Sequence, residues 1–255
     1  MKQGVTQKLM RGTLIVKEKV YLSPHYIRIV LTGPELVNFK EAKVGDNNKI
    51  ILPNGVDGKI NFPSAPLGSA DPQQEPILIR TYTLRALDFE NSEMHIDFVA
   101  HGDEGPASAW AQQATPGAQL GVMMKVKDRQ LFEKAAWYGF VGDHTALPVM
   151  AVILETLPAD AVGEMLLEVH SPSDVLTLRK PEHMQLTWIF NNHPGKGSDL
   201  ARHFEAVSWP ATEEKFVFVA AEYQTVQDLQ EYLAEKRALK RQQWVAHSYW
   251  RIGKA

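Results

Sequence analysis

The feature that most constrains this chain is a change of hydrophobic rhythm part-way along it. In the first half, apolar residues recur at every second position in short runs. Tyr26-Ile27-Arg28-Ile29-Val30-Leu31-Thr32 sets Ile27, Ile29 and Leu31 on one face, as a half-buried strand requires. Similar runs follow over Lys49–Leu52, Ile77–Ala86 and Met94–Ala100, with Gly33-Pro34, Gly45-Asp46 and Pro53-Asn54-Gly55 as turn signals between them. A Pro-, Gly-, Ser- and Gln-rich stretch from Asn54 to Pro76 reads as a long exposed loop, and Pro106–Gln113 as a single helix. After a charged stretch from Lys127 to Lys134 the pattern becomes apolar strands, Trp137–Val141, Glu164–His170, Leu186–Phe190 and Phe216–Ala220. These alternate with helices expected over Ala146–Leu157 and between Ala221 and Trp244, the latter with Val226, Leu229 and Leu233 on one face. The expectation is a β plus α/β chain: an antiparallel β-barrel over residues 1–130, then a doubly wound parallel sheet over 131–255.

Composition narrows what such a chain does. With 255 residues, 44% of them hydrophobic, it has material for real cores. A formal charge of −3 removes the long-range attraction on which most nucleic-acid binders depend. The absence of cysteine excludes disulfides, thiolate metal sites and cysteine nucleophiles. No window approaches the ~18 apolar residues of a membrane span, and the first 19 residues lack a signal-peptide core, so a soluble cytoplasmic protein is expected. The nine histidines show no HxxxH or HExxH spacing, and no metal site is expected. Neither G-x-S-x-G nor a Walker string occurs.

One strand, three strand ends and the C-terminus hold the candidate chemistry, each open to two readings. Arg80-Thr81-Tyr82-Thr83-Leu84-Arg85 offers an aromatic face, hydroxyls and cations, the set a flavin needs, or is an ordinary exposed strand. His101-Gly-Asp-Glu-Gly-Pro106-Ala107-Ser108 opens a helix. The N–H groups of Ala107 and Ser108, with the Ser108 hydroxyl, suit a pyrophosphate, while Asp103 and Glu104 suit a cap. Val141-Gly142-Asp143-His144-Thr145-Ala146 turns from strand to helix without the G-x-G-x-x-G fingerprint, and Ala220-Ala221-Glu222 ends a later strand in the same way, with Glu222 either at a nucleotide or capping a helix. The tail Trp244–Ala255 is either a last core strand or an aromatic, basic wall beside a cofactor.

Taken in order, R-T-Y-T-L-R, H-G-D-E-G-P-A-S-A-W-A, G-D-H-T-A-L-P and S-Y-W-R-I-G resemble the siderophore-interacting protein family of flavin-dependent ferric-siderophore reductases, over nearly the whole chain. The resemblance implies an N-terminal FAD-binding barrel and a C-terminal NAD(P)H-binding domain. It implies that Arg80, Thr81, Tyr82 and Thr83 contact the flavin and its phosphate, with Tyr82 on the ring system and Thr83 near its reactive edge. By the same resemblance His101, Ala107 and Ser108 hold the pyrophosphate and adenosine end. Asp143, Thr145 and Ala146 line the gap between flavin and nicotinamide, Glu222 sits at the nicotinamide pocket, and Tyr249 and Trp250 flank the cofactor. Tyr82, Thr83 and Thr145 are the expected catalytic positions. The chain departs from the family pattern at His144, Ala221-Glu222 and Met123-Met124-Lys125.

The implied chemistry takes a hydride from NADPH or NADH to FAD and passes electrons singly to siderophore-bound Fe(III), releasing Fe(II). Lys49, Arg251 and Lys254 are the candidates for attracting the anionic chelate. Alternatives are a general NAD(P)H:flavin reductase and a non-catalytic siderophore carrier with structural FAD; a ferredoxin is an alternative electron donor, and a monomer is expected.

Overall fold

The computed structural model describes residues 8–54, 58–63, 77–101, 105–128 and 130–253. These divide into two compact units, the described residues of Met1–Leu22 with Tyr26–Arg129, and Ser23–His25 with Gln130–Ala255. Among the described residues no helix is long and apolar enough to cross a membrane.

The first unit is an antiparallel half-barrel of strands β1 (Leu9–Ser23), β2 (Tyr26–Thr32), β3 (Asn47–Ile51), β4 (Ile79–Thr83), β5 (Ala86–Asp88), β6 (Glu93–Val99) and β7 (Gln119–Lys125). Their order in the sheet is β4-β3-β7-β1-β2-β6-β5. Period-2 patterning fills its interior: Ile27, Ile29 and Leu31 are completely buried, beside Leu14, Ile50, Leu84, Ile96, Phe98 and Leu120. Arg28 and Asp97, directly opposite on β2 and β6, form a two-bond ion pair at 2.7 and 2.8 Å, the arginine being the partner that keeps the buried carboxylate satisfied. The run expected as one strand over Ile77–Ala86 is two. The N–H of Leu84 turns to the carbonyl of Asp46 and that of Arg85 to His95, and the chain leaves one edge of the sheet for the other. Much of the stretch expected as a loop, residues 55–57 and 64–76, lies outside the described residues. Helix α1 (Pro106–Gln113) occupies the residues expected for it.

The second unit is a five-stranded parallel sheet of β8 (Trp137–Asp143), β9 (Gly163–Val169), β10 (Met184–Phe190), β11 (Lys215–Glu222) and β12 (Trp244–Trp250), in the order β10-β9-β8-β11-β12. The chain moves outward from β8 to β10, then returns to pair β11 with β8, so the carboxyl ends of β8 and β11 flank the topological switch point. Helix α2 (Leu147–Thr156) follows β8 and is apolar all round, with every residue from Leu147 to Leu154 buried. Helix α3 is Leu200–Glu205.

The single helix expected between Ala221 and Trp244 is not one element. Ala221 and Glu222 complete β11, α4 spans Tyr223–Glu231, and a wider turn covers Tyr232–Lys236. Ala238 then takes a left-handed backbone (φ 51°) that stops the helix, and Arg237 stacks over Trp209 at 4.4 Å. The expected apolar face holds, since Val226, Leu229 and Leu233 are all buried.

Candidate functional site

In the half-barrel, the site begins with β4. Residues directly opposite in an antiparallel pair share a face, so Arg80 lies with Ile50, Thr81 with Lys49, Tyr82 with Asn48 and Thr83 with Asn47. Arg80 is half-buried, and one of its guanidinium N–H groups donates to the carbonyl of Ile79. The Tyr82 ring leans on Phe98 at 4.4 Å, and Phe98 in turn faces Trp110 of α1 at 5.8 Å. Burial pushes the Tyr82 phenol well above its ordinary range, against the pull of the Arg80 charge, so it remains a neutral donor. On the other face Lys49 donates to the Thr81 hydroxyl at 2.5 Å. Thr83 is buried.

At α1, Gly105 precedes the helix and Pro106 opens it, so no side chain caps the first turn. A Cβ on Gly105 would lie 2.5 Å from His101 Cε1; glycine is what lets the imidazole lie against the helix entry. The Ser108 hydroxyl is buried and accepts from the His101 N–H at 3.1 Å and from Gln112 Nε2 at 3.2 Å, fastening residue 101 to the helix and leaving its own O–H to donate. What Ala107 and Ser108 present at the helix start is main-chain N–H. Asp103 and Glu104 lie outside the described residues.

In the second unit, Gly142 lets α2 fold back tightly on β8, since a Cβ there would stand 2.8 Å from that of Ala146. Asp143, next along, is buried and its carboxylate is full. One oxygen accepts from the Thr145 N–H (2.8 Å) and hydroxyl (2.5 Å), the other from the Glu222 N–H (2.9 Å) and the Trp250 indole (2.7 Å). Glu222, also buried, accepts from the Gln224 N–H at 2.5 Å, capping α4, and from the Ile252 N–H at 3.2 Å. The two carboxylates thus knot the ends of β8, β11 and β12 together. Ala146 is fully buried, Tyr249 is exposed, and Arg251 lies over the Tyr223 ring at 4.5 Å. Lys254 lies outside the described residues. In the tail β12 is a last strand, and Tyr249 and Arg251 at its end are exposed.

Sequence reasoning passed over Glu168 and Asn48. Glu168 is buried on β9 in register with Asp143, and Ser198 (2.8 Å) and Asn191 (3.3 Å) donate to it. Burial pushes its carboxyl up and Asp143 adds to that, against those two donors. Asp174, just beyond β9, contrasts with it. Burial would raise this carboxyl too, but donors from Ser23, Ser171 and His25 outweigh it and hold it low. The available signal was a polar residue at an inward position of an apolar run, as in Gly-Glu-Met-Leu-Leu-Glu-Val and Asn-Asn-Lys-Ile-Ile-Leu. Among the described residues no group of three or more His, Asp or Glu is placed to hold a metal ion.

An antiparallel half-barrel, followed by a parallel sheet that reverses beside its first strand, is the ferredoxin-reductase-like fold. The cytochrome P450 reductase GcoB from Amycolatopsis shares this fold, with a TM-score of 0.65 at 13% identity over 96% of this chain and 72% of that one. Residues 15–125 match the model of the siderophore-interacting FAD-binding domain, and residues 135–253 that of siderophore-interacting protein. The chain is 32% identical to the ferric vibriobactin reductase ViuB of Vibrio cholerae, across 92% of its own length and 88% of the relative's. A siderophore utilization protein from T. fusca superposes with a TM-score of 0.86 at 28% identity, covering 97% and 95% of the two chains. The chain belongs to the siderophore-interacting protein family. FAD is the cofactor of its barrel, and the residues fit that group: an aromatic ring, a guanidinium, an uncapped helix start and, on the same face as Tyr82, an amide without a partner.

Proposed function

We propose that the protein is a ferric-siderophore reductase that draws electrons from NAD(P)H through FAD. The observation that carries this reading is the 32% identity to a ferric vibriobactin reductase running through both units. FAD, when bound, supplies the conversion of a two-electron hydride donor into single electrons that Fe(III) accepts. Iron is substrate here, so the chain needs no ligands for it; Fe(II) binds the hard oxygen donors of a siderophore far less tightly than Fe(III) and is released.

The chain's own residues bind and orient. Tyr82 supports the ring system, Arg80 and Thr81 take the phosphate side, and Thr83 stands near the reactive edge. His101 and the N–H groups of Ala107 and Ser108 hold the pyrophosphate and adenosine end. Because the Thr145 hydroxyl donates to Asp143, its lone pairs remain to accept from a nicotinamide amide, while Asp143, Glu222 and Trp250 keep the strand ends rigid around it. Ala146 and Tyr249 complete the wall. Lys49, Arg251 and Lys254 draw in the anionic chelate. We place the division of labour at residue 130, with FAD held by 1–130 and the nucleotide by 131–255, in a cytoplasmic monomer.

The test is an anaerobic visible spectrum of the purified protein after NADH, NADPH and a ferric siderophore in turn. Bleaching by a nucleotide and recovery with the chelate, while a ferrous trap colours, is the expected result. A flavin band that neither nucleotide bleaches would overturn NAD(P)H as donor and leave a ferredoxin or a carrier role. Equal reduction of free flavin and ferric chelate would point to a general flavin reductase.

A further inference from the structure

We propose that Asn48 is a further FAD-binding residue, whose side-chain amide hydrogen-bonds to the cofactor on the face of the barrel shared with Tyr82. The proposal rests on the reading that this barrel holds FAD against β4.

Asn48 is 1% exposed, and neither its Nδ2 nor its Oδ1 has a hydrogen-bond partner in the structure. Its neighbours on the strand differ. The Asn47 amide oxygen accepts from Lys127, and Lys49 donates to Thr81. Of the three, only Asn48 is buried with its polar atoms idle, and it is the residue directly across from Tyr82. Its face continues through Ile50 and Arg80, so the amide stands in line with the two side chains best suited to a flavin ring and its phosphate.

A buried amide that makes no hydrogen bond is a liability in a fold, because it has left water and gained nothing. An apolar side chain of similar volume would serve the core better, as Ile50 and Ile51 do on the same strand. The amide gains its place if a ligand completes it. A carboxamide offers a donor beside an acceptor, and the pyrimidine edge of an isoalloxazine, with carbonyls flanking an N–H, offers the complementary pair. Phosphate alone would use only the donor.

The experiment compares wild type with Asn48→Val and Asn48→Leu as full-length chains. The equilibrium dissociation constant for FAD is measured by titration of the FAD-free protein, and the thermal midpoint with and without FAD. Wild type is measured first: if it fails to bind FAD, the parent reading falls, independently of Asn48. With wild-type binding in hand, both variants are expected to weaken FAD affinity ~10-fold. The FAD-free midpoint should stay level or rise, because an idle amide has been removed, and the midpoint gained on adding FAD should shrink. Affinity unchanged to within about twofold would overturn the proposal. So would a fall in the FAD-free midpoint as large as that with FAD, or a failure of both variants to fold, either of which would mean that the amide is satisfied inside the protein, for instance by a buried water.

Discussion

The barrel face around β4 and the carboxyl edge of the parallel sheet handle polar groups in opposite ways. At the sheet edge, Asp143 accepts four hydrogen bonds from its own unit, and Glu222 and Glu168 take further donors there. On the barrel face the first turn of α1 has no side-chain cap, and Asn48 has no partner. Buried polar groups must be satisfied by something. Where the chain satisfies them itself they build architecture, and the idle Asn48 amide is the exception on which the FAD-contact proposal rests. The Asp143 and Glu222 carboxylates thus tie together the strand ends of their own unit, while the Thr145 hydroxyl keeps its lone pairs.

Replacing Asp143 should break the contrast most severely. Asp143→Ala strands the Thr145, Glu222 and Trp250 donors together and is expected to cost about 4 kcal/mol in urea unfolding. The barrel provides its own control in the saturated Arg28–Asp97 pair. Arg28→Met leaves a buried carboxylate unpaired and should lose about 3 kcal/mol, with FAD affinity of the folded protein unchanged. Arg80→Ala should behave in reverse. Titration is expected to show FAD affinity ~30-fold weaker, through lost charge-assisted phosphate bonds, while stability stays within about 0.5 kcal/mol of wild type. Trp250→Phe keeps the ring and removes one donor to Asp143, for an expected loss of about 1.5 kcal/mol.

The smallest effect is in pH dependence. Glu168, with its folded-state pKa raised, holds a proton that the unfolded chain releases sooner. Its contribution is most favourable at low pH and declines as pH rises from about 4 towards the folded value. Asp174, held low, contributes fully above about pH 4 and loses that contribution as pH falls through its folded value. A stability profile from acid to neutral pH should therefore flatten at its acid end in Asp174→Asn and at its upper end in Glu168→Gln; identical profiles in both variants would show that neither group titrates differently on folding.

Elements were legible where one periodicity ran uninterrupted. Tyr26–Thr32 and Pro106–Gln113 appear with the residues expected, because period-2 burial and a Pro-initiated turn are local properties. The split of Ile77–Ala86 was not legible, since it depends on carbonyls of Asp46 and His95 that are far away in the chain. Nor was the shortened helix after Ala221, which yields two residues to β11 because β8 and β12 are there to pair with it. The site divided in the same way. Arg80, Tyr82, Asp143, Glu222 and Trp250 stood out by type, but type could not tell a saturated carboxylate from an available one. Asn48 and Glu168 were hidden, because a polar residue in an apolar run is unremarkable until its burial and partners are known.

By itself the sequence determined the two-part architecture, the family resemblance and the residue types that suit a flavin, because alternation, turn chemistry and short motifs act over a few residues. Only the tertiary structure decided which of those polar residues are framework and which are open to a ligand, because a hydrogen bond is made or missed according to what lies opposite, and Asp143 finds one partner 79 and another 107 residues away.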